Sequence, residues 1–372
     1  MKKVIFILHI LLILTPGFAT EYRFDTGKIN DIFSQYDNEF FDSSDYSSMI
    51  SDIQEGTFEF DYQKMFQKAW KVLIKELRQN IGLATQIIMI ALLTGVLEHL
   101  KSNFSSEGVT QIAFYVTYAI LATLIVGSFL QIYDIAKELV TNVMNFMKIL
   151  LPILVGLITA SGGLNVSSIL YPLILVMSQF VTYFMTAFLL PVSMIAFVLN
   201  LVSGISQKVK VSKVPKMLKS FSLWSMGIIL TIFVGLLSIE GTIGSSIDGI
   251  TSKTAKFLFS NGIPVVGKLL GDSVDTILGS TLLIKDAVGF IGIMVLFGAA
   301  LTPIVKILAL MMVFYITSAI VEPFADKRIC QCLSDTADNG KIVLGVVITV
   351  CIMFMIATVT MMKMSNTAVM YR

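Results

Sequence analysis

Residues 169–204 form a stretch of 36 residues without a single charge. A helix needs about 20 apolar residues to cross a ~30 Å hydrocarbon core, so this run is long enough for more than one ordinary span. Further runs at 81–97, 111–133, 149–163, 221–239, 287–321 and 342–362 repeat the pattern. Only 14% of the 372 residues are charged while 55% are hydrophobic; a soluble domain carries about a quarter charged residues. The fold class this implies is all-α, a polytopic integral membrane protein with amphipathic interfacial helices.

The charges that remain set an expected topology. Lys2 and Lys3 precede an eleven-residue apolar stretch, and Pro16 and Gly17 break it before the small residues at 17–19, so residues 1–19 read as a signal peptide. An uncleaved anchor is the alternative; either way the chain from Thr20 starts on the far side of the membrane. Residues 205–220 carry Lys208, Lys210, Lys213, Lys216 and Lys219 and no acid, which marks a cytoplasmic loop. An odd number of crossings must then precede Lys208. Five are expected: 81–97, 111–133, 149–163, and a hairpin made from 169–204 interrupted by Pro191. Three also fit, if 150–163 is re-entrant and 169–204 crosses once. Residues 221–239 cross outward. Residues 286–372 form a second membrane block, in which Pro303 and Lys306 divide 287–321 into two helices. A polar loop at 323–341 comes next, and 342–362 makes the last span. The total is eight or nine transmembrane helices.

Between the signal and the first membrane block (81–204) lie two contrasting segments. Residues 20–63 hold eleven carboxylates against Arg23 and Lys28, without sustained period, and read as a loosely structured extracytoplasmic leader. In residues 64–80 the sign flips. Lys64, Lys68, Lys71, Lys75 and Arg78 interleave with Phe66, Trp70, Leu73 and Leu77 at steps of three and four, which makes one basic amphipathic helix. A cationic face opposite Trp and Phe suits a helix lying in the membrane interface.

Residues 240–285 carry helical stripes on both sides of Ser260-Asn-Gly-Ile-Pro264, and so read as an extracytoplasmic helix-turn-helix. The turn overlaps Gly262-Ile-Pro-Val-Val-Gly-Lys-Leu269, which fits the first seven positions of a phosphate-binding loop. That loop needs a preceding strand and a Ser or Thr for Mg²⁺. Here a helical pattern precedes it and Leu269 stands where the magnesium ligand should be, so no nucleotide cofactor is expected. Asp248, Lys253, Lys256, Lys268, Asp272, Asp275, Lys285 and Lys306 are the candidate docking or pathway-lining residues. Lys285 adjoins Asp286 as an expected interfacial pair. Lys306 would need a partner at mid-membrane, where an isolated charge costs about 3 kcal/mol; placement at a hairpin tip beside Pro303 avoids that cost. A loose echo between 156–168 and 235–247 hints at an inverted repeat, although small apolar residues dominate both stretches.

Catalytic chemistry finds little material. His9 lies in the signal, leaving His99 alone, which argues against His-based metal sites and nucleophile–base pairs. Cys330 and Cys332 read as two incidental thiols in a loop. No catalytic, metal or cofactor residue is assigned, no basic-aromatic array suggests nucleic acid, and the chain reads as non-enzymatic.

Residues 221–257 (FSLWSMGIILTIFVGLLSIEGTIGSSIDGITSKTAKF) and 263–290 (IPVVGKLLGDSVDTILGSTLLIKDAVGF) resemble the stage III sporulation protein AE family of endospore-forming bacteria. The signal-like start, acidic leader and multi-span body fit along the rest of the chain. The resemblance implies a multi-pass protein of the mother-cell membrane around the forespore. It further implies membership of a channel-like complex with a cytoplasmic ATPase, ring-forming proteins between the two membranes and a forespore partner, needed for late forespore gene expression. The family supplies no catalytic residues. A stand-alone secondary transporter is the alternative, with Lys306 as its best ionisable candidate.

Overall fold

The computed structural model describes residues 61–100, 107–205, 213–262 and 266–370, together with Phe40, Met49 and Asp52. The signal (1–19), nearly all of the leader, residues 206–212 of the expected Lys-rich loop and residues 263–265 of the expected central turn lie outside the described residues, while 213–220, expected as loop, are helical. Those described in segments are helical throughout, apart from short turns. The helices are α1 (Tyr62–Gln79), α2 (Ile81–Leu100), α3 (Glu107–Ala160), α4 (Leu164–Phe184), a five-residue π-helical turn (Met185–Leu189), α5 (Leu190–Ile205), α6 (Lys213–Gly262), α7 (Val266–Val321) and α8 (Lys327–Met370).

Three expectations about breaks are corrected. The run 169–204 is not a hairpin: α4, the π turn and α5 continue one another as a single candidate span over Ser167–Ile205. Pro191 lies just past the π turn. A proline removes a ladder donor and crowds the preceding turn, and a local i→i+5 widening absorbs that without reversing the chain. Likewise 287–321 is not two helices, since Pro303 sits inside α7, and 149–163 is not a crossing of its own but the end of α3. Neighbouring helices and hydroxyl groups re-satisfy the freed backbone around such prolines. Many Ser and Thr hydroxyls here bond the carbonyl one turn back, among them Thr94, Ser128, Thr336 and Thr358. Five described helices are long and apolar enough to cross a membrane, or six if bent α1 and α2 count as one span. On the count of six, three precede Lys208; on the count of five, two do; both counts fall below the eight or nine expected.

The remaining corrections concern where helices begin and end. Residues 327–341 are the first turns of α8, not a loop, and Cys330 and Cys332 are therefore helical. Asp326 starts the helix: its carboxylate accepts the Arg328 N–H at 2.7 Å, as an N-cap side chain does. In the central block α6 continues through Gly262, so Ser260, Asn261 and Gly262 are helical and form no part of a turn. Nor does the 156–168 and 235–247 echo survive. The first contains a chain reversal with Gly162 at φ +92°, while the second is uninterrupted helix.

The core is the α7–α8 pair, with α3 packed against both and α6 against α8. Small residues let the backbones close in. A Cβ on Gly292 would lie 2.7 Å from Leu150, and one on Gly340 2.7 Å from Met311. Phe129 and Phe197, both buried, stack with centroids 3.9 Å apart and join α3 to α5. Outward faces remain apolar: Ile112, Val116 and Ile120 on α3, Trp224, Ile228 and Ile232 on α6, Ile348 and Ile352 on α8. Contiguous exposed apolar surface of this kind marks a membrane or partner face.

Helix α1 divides its apolar residues differently from the expected single stripe. Asp61 caps it, accepting the Lys64 N–H at 2.9 Å. Met65, Ala69, Val72 and Leu73 pack on the core, whereas Phe66 and Trp70 point away from it. The leader also touches the bundle, because Phe40 is buried and its carbonyl accepts a hydrogen bond from Lys68 Nζ at 2.6 Å.

Candidate functional site

Polar side chains inside the bundle gather at two levels of the α7–α8 pair. One is the corner end, where residues 322–326 turn α7 into α8. The other is the far end, around Lys285 and Met362.

At the corner, the cap that starts α8 also holds a cation. Arg328 lies 2.6 Å from Asp326 Oδ2 through Nη2, and its Nε contacts both carboxylate oxygens at 3.1 and 3.2 Å. The guanidinium carbon sits 3.5 Å from the centroid of the Phe114 ring on α3, a cation–π contact. One turn on, the buried Tyr118 hydroxyl donates to the Leu201 carbonyl of α5 at 2.8 Å and lies 3.5 Å from Cys332 Sγ. Gly204 leaves room for that hydroxyl, since a Cβ there would be 2.2 Å from it. Helix α2 reaches the same corner: a Cβ on Gly95 would stand 1.8 Å from the Phe324 carbonyl oxygen.

Two turns further along α8, Asp338 gathers three helices. Its Oδ1 accepts from the Tyr315 hydroxyl of α7 and from Lys341 Nζ at 2.7 Å. Its Oδ2 lies 3.8 Å from Lys219 Nζ of α6. The Lys341 ammonium also sits 4.9 Å from the Tyr315 ring centroid. Between these layers Ser318 donates to the Cys330 carbonyl at 2.9 Å. Beside them, buried Thr317 Oγ1 and Asn339 Nδ2 have no hydrogen-bond partner among the described residues. These two atoms belong to α7 and α8, within two residues in sequence of Tyr315 and Asp338.

The far end holds a fully buried lysine. Lys285 Nζ donates to the Met362 carbonyl of α8 and lies 3.4 Å from Asp286 Oδ1. The expected Lys285–Asp286 pair is thus present, with the Lys285 side chain buried in the bundle and that of Asp286 partly exposed. Lys306 is not at a hairpin tip: it lies within α7, 3.9 Å from Glu76 Oε1, a carboxylate of α1. The side chains of Asp248, Lys253, Lys256, Lys268, Asp272 and Asp275 lie outside the described residues, although their backbones belong to α6 and α7. Lys285 and Lys306 sit far apart along α7 and do not share a site.

Sequence reasoning missed Asp338, Tyr315, Tyr118 and Arg328. A signal was available in 327–341, where buried Ile329, Leu333, Thr336 and Ala337 recur at helical spacing under an apparent polar loop. Arg328 and Asp335 are seven residues apart, as are Gln331 and Asp338, the repeat of one polar helix face. What these groups do chemically is join helices. Every pairing above links side chains to side chains or to backbone, and no group of three or more His, Cys, Asp or Glu that could hold a metal occurs among the described residues.

The family model for stage III sporulation protein AE matches residues 44–365. The stage III sporulation protein AE of Bacillus subtilis (strain 168) is 26% identical over 357 residues, covering 95% of this chain and 89% of that protein. No solved structure matches. The match takes in all of α1 to α7 and α8 nearly to its end, including the corner knot and the far-end lysine, and so the chain belongs to the stage III sporulation protein AE family.

Proposed function

We propose that this chain is a non-enzymatic membrane core component of a complex that links mother cell and forespore and is needed for late forespore gene expression. The observation that carries the reading is helix length within this family's bundle. Helices α3 and α7 run 54 and 56 residues. At 1.5 Å per residue each has a contour of about 80 Å, more than twice a ~30 Å hydrocarbon core. A bundle of such helices offers helical surface outside the bilayer, where proteins between the two membranes, or a cytoplasmic ATPase, would dock. The polar groups support a scaffold better than a reaction, because they are spent on tying helices together. On this reading the protein sits in the mother-cell membrane with 206–212 in the cytoplasm and 263–265 between the membranes.

The test is genetic. Deleting the gene is expected to leave engulfment intact while late forespore transcription fails, and normal spores from a clean deletion would overturn the proposal. Orientation has its own measurement. Cysteines at Ser252 and Asp275, in a background lacking Cys330, Cys332 and Cys351, are expected to react with an impermeant thiol reagent from outside the mother-cell membrane. A cysteine at Ser212 is not, and reversed labelling would invert the topology.

A further inference from the structure

Helix α1 presents three sectors rather than two. Met65, Val72 and Glu76 face the bundle. At 3.6 residues per turn, Tyr62, Phe66, Trp70 and Ile74 form a line that winds from about 80° to about 200° around the axis from Val72. On the opposite flank Lys64, Lys71, Lys75 and Arg78 fall within roughly 60° of one another. The apolar line is exposed: Tyr62 76%, Phe66 70%, Trp70 54% and Ile74 41%. Phe66 and Trp70 stack with centroids 6.4 Å apart. A soluble helix that already buries one face has no use for a second apolar line beside a cationic row.

Continuity identifies what covers it. The line leads into Ile81, Met89, Leu93 and Val96, the exposed face of α2, which is the part of the α1–α2 pair apolar enough to meet acyl chains. A 45° bend at Asn80 separates the two helices. Asn80 stabilises the bend, its side chain donating to the Glu76 carbonyl at 2.8 Å. Aromatic rings at the edge of an acyl-facing surface, flanked by a row of cations, match the chemistry of an anionic phospholipid headgroup layer.

We propose that α1 docks on anionic phospholipid headgroups, with Phe66 and Trp70 at the headgroup–acyl boundary and Lys64, Lys71 and Arg78 on the phosphates. The Glu76–Lys306 pair then ties this headgroup-bound helix to α7. The inference concerns the lipid surface alone and stands whether or not the chain joins a trans-envelope complex.

The chain has two tryptophans, so Trp224→Phe leaves Trp70 as a single reporter in the full-length protein. Reconstituted in nanodiscs of equal parts phosphatidylglycerol and phosphatidylcholine, Trp70 emission is expected to be quenched at least twofold more by lipid brominated high on the acyl chain than by lipid brominated near the chain end. The triple variant K64Q/K71Q/R78Q, which changes only exposed side chains, is expected to lose at least half of the shallow quenching in those discs. It should match the parent in discs of pure phosphatidylcholine. Stronger quenching by the deep bromine would overturn the proposal, as would absence of quenching by either lipid, which would put water, a second copy or a protein partner on the line. An unchanged triple variant would overturn the anionic requirement.

Discussion

The two ends of the α7–α8 pair are fastened by different means. At the corner, six helices (α2, α3, α5, α6, α7 and α8) meet through partly solvated ions, two tyrosines and a glycine whose neighbour is backbone. At the far end, one buried ammonium meets a backbone carbonyl, and the nearby Gly289 faces only Met362, whose Cγ would be 2.4 Å from an added Cβ. Backbone cannot yield and a methionine can. The corner is therefore the rigid end and the far end the forgiving one.

Gly95→Ala is the strongest attack on that contrast. Its Cβ would press the Phe324 carbonyl, and the expected loss is about 3 kcal/mol, the upper part of the overpacking range. Gly289→Ala should lose about 1 kcal/mol, because Met362 can change rotamer. Both are read from the temperature at which the buried Cys332 and Cys351 become reactive to a thiol dye in detergent. Equal losses would erase the distinction between the ends.

Asp338→Ala removes the acceptor shared by Tyr315, Lys341 and Lys219. Its carboxylate is 37% exposed, so water screens it, and the expected cost is about 1 kcal/mol. The difference from the parent should shrink in high salt; a salt-independent loss would mean that packing, not charge, is what Asp338 supplies there.

The double replacement of Lys285→Met with Asp286→Leu, which removes both partners of the 3.4 Å pair, is expected to change stability least. Replacing a buried ion pair by apolar side chains of similar volume is often neutral or stabilising, whereas removing one partner strands the other, and the Met362 carbonyl stays within its helix. A midpoint lowered as far as by Gly95→Ala would make the far end the critical fastening.

What was legible in the sequence came from composition and period. The helical, membrane-type chain was read from its uncharged runs, and the family from 221–290. Continuity through Pro191 and Pro303 was not legible, because proline reads locally as a breaker while neighbouring helices decide whether the ladder is resealed. The α8 start was hidden by charge: 327–341 looked like a loop because a span was sought, not a polar-faced helix. Tyr315 and Asp338 could not be paired from sequence, since only the corner at 322–326 sets which turn of α7 meets which turn of α8. The sequence did single out Lys285, as one half of a pair with Asp286, and Lys306, as a charge between apolar runs, but said nothing of Met362 or Glu76 as their partners.

The two clasps have a consequence for angular phase. Along α7 the stretch from Lys285 to Tyr315 is longer than the stretch of α8 from Asp338 to Met362, by about 9 Å at 1.5 Å per residue. The slant of the long lysine and tyrosine side chains, or curvature at Pro303, must absorb that surplus. Each clasp also requires its residue to face the partner helix, and one residue more or less between them turns a helix face by about 100°. The pair thus keeps count of its residues: insertions or deletions between the clasps dial one fastening out of line with the other, whereas those beyond Met362 leave both in phase.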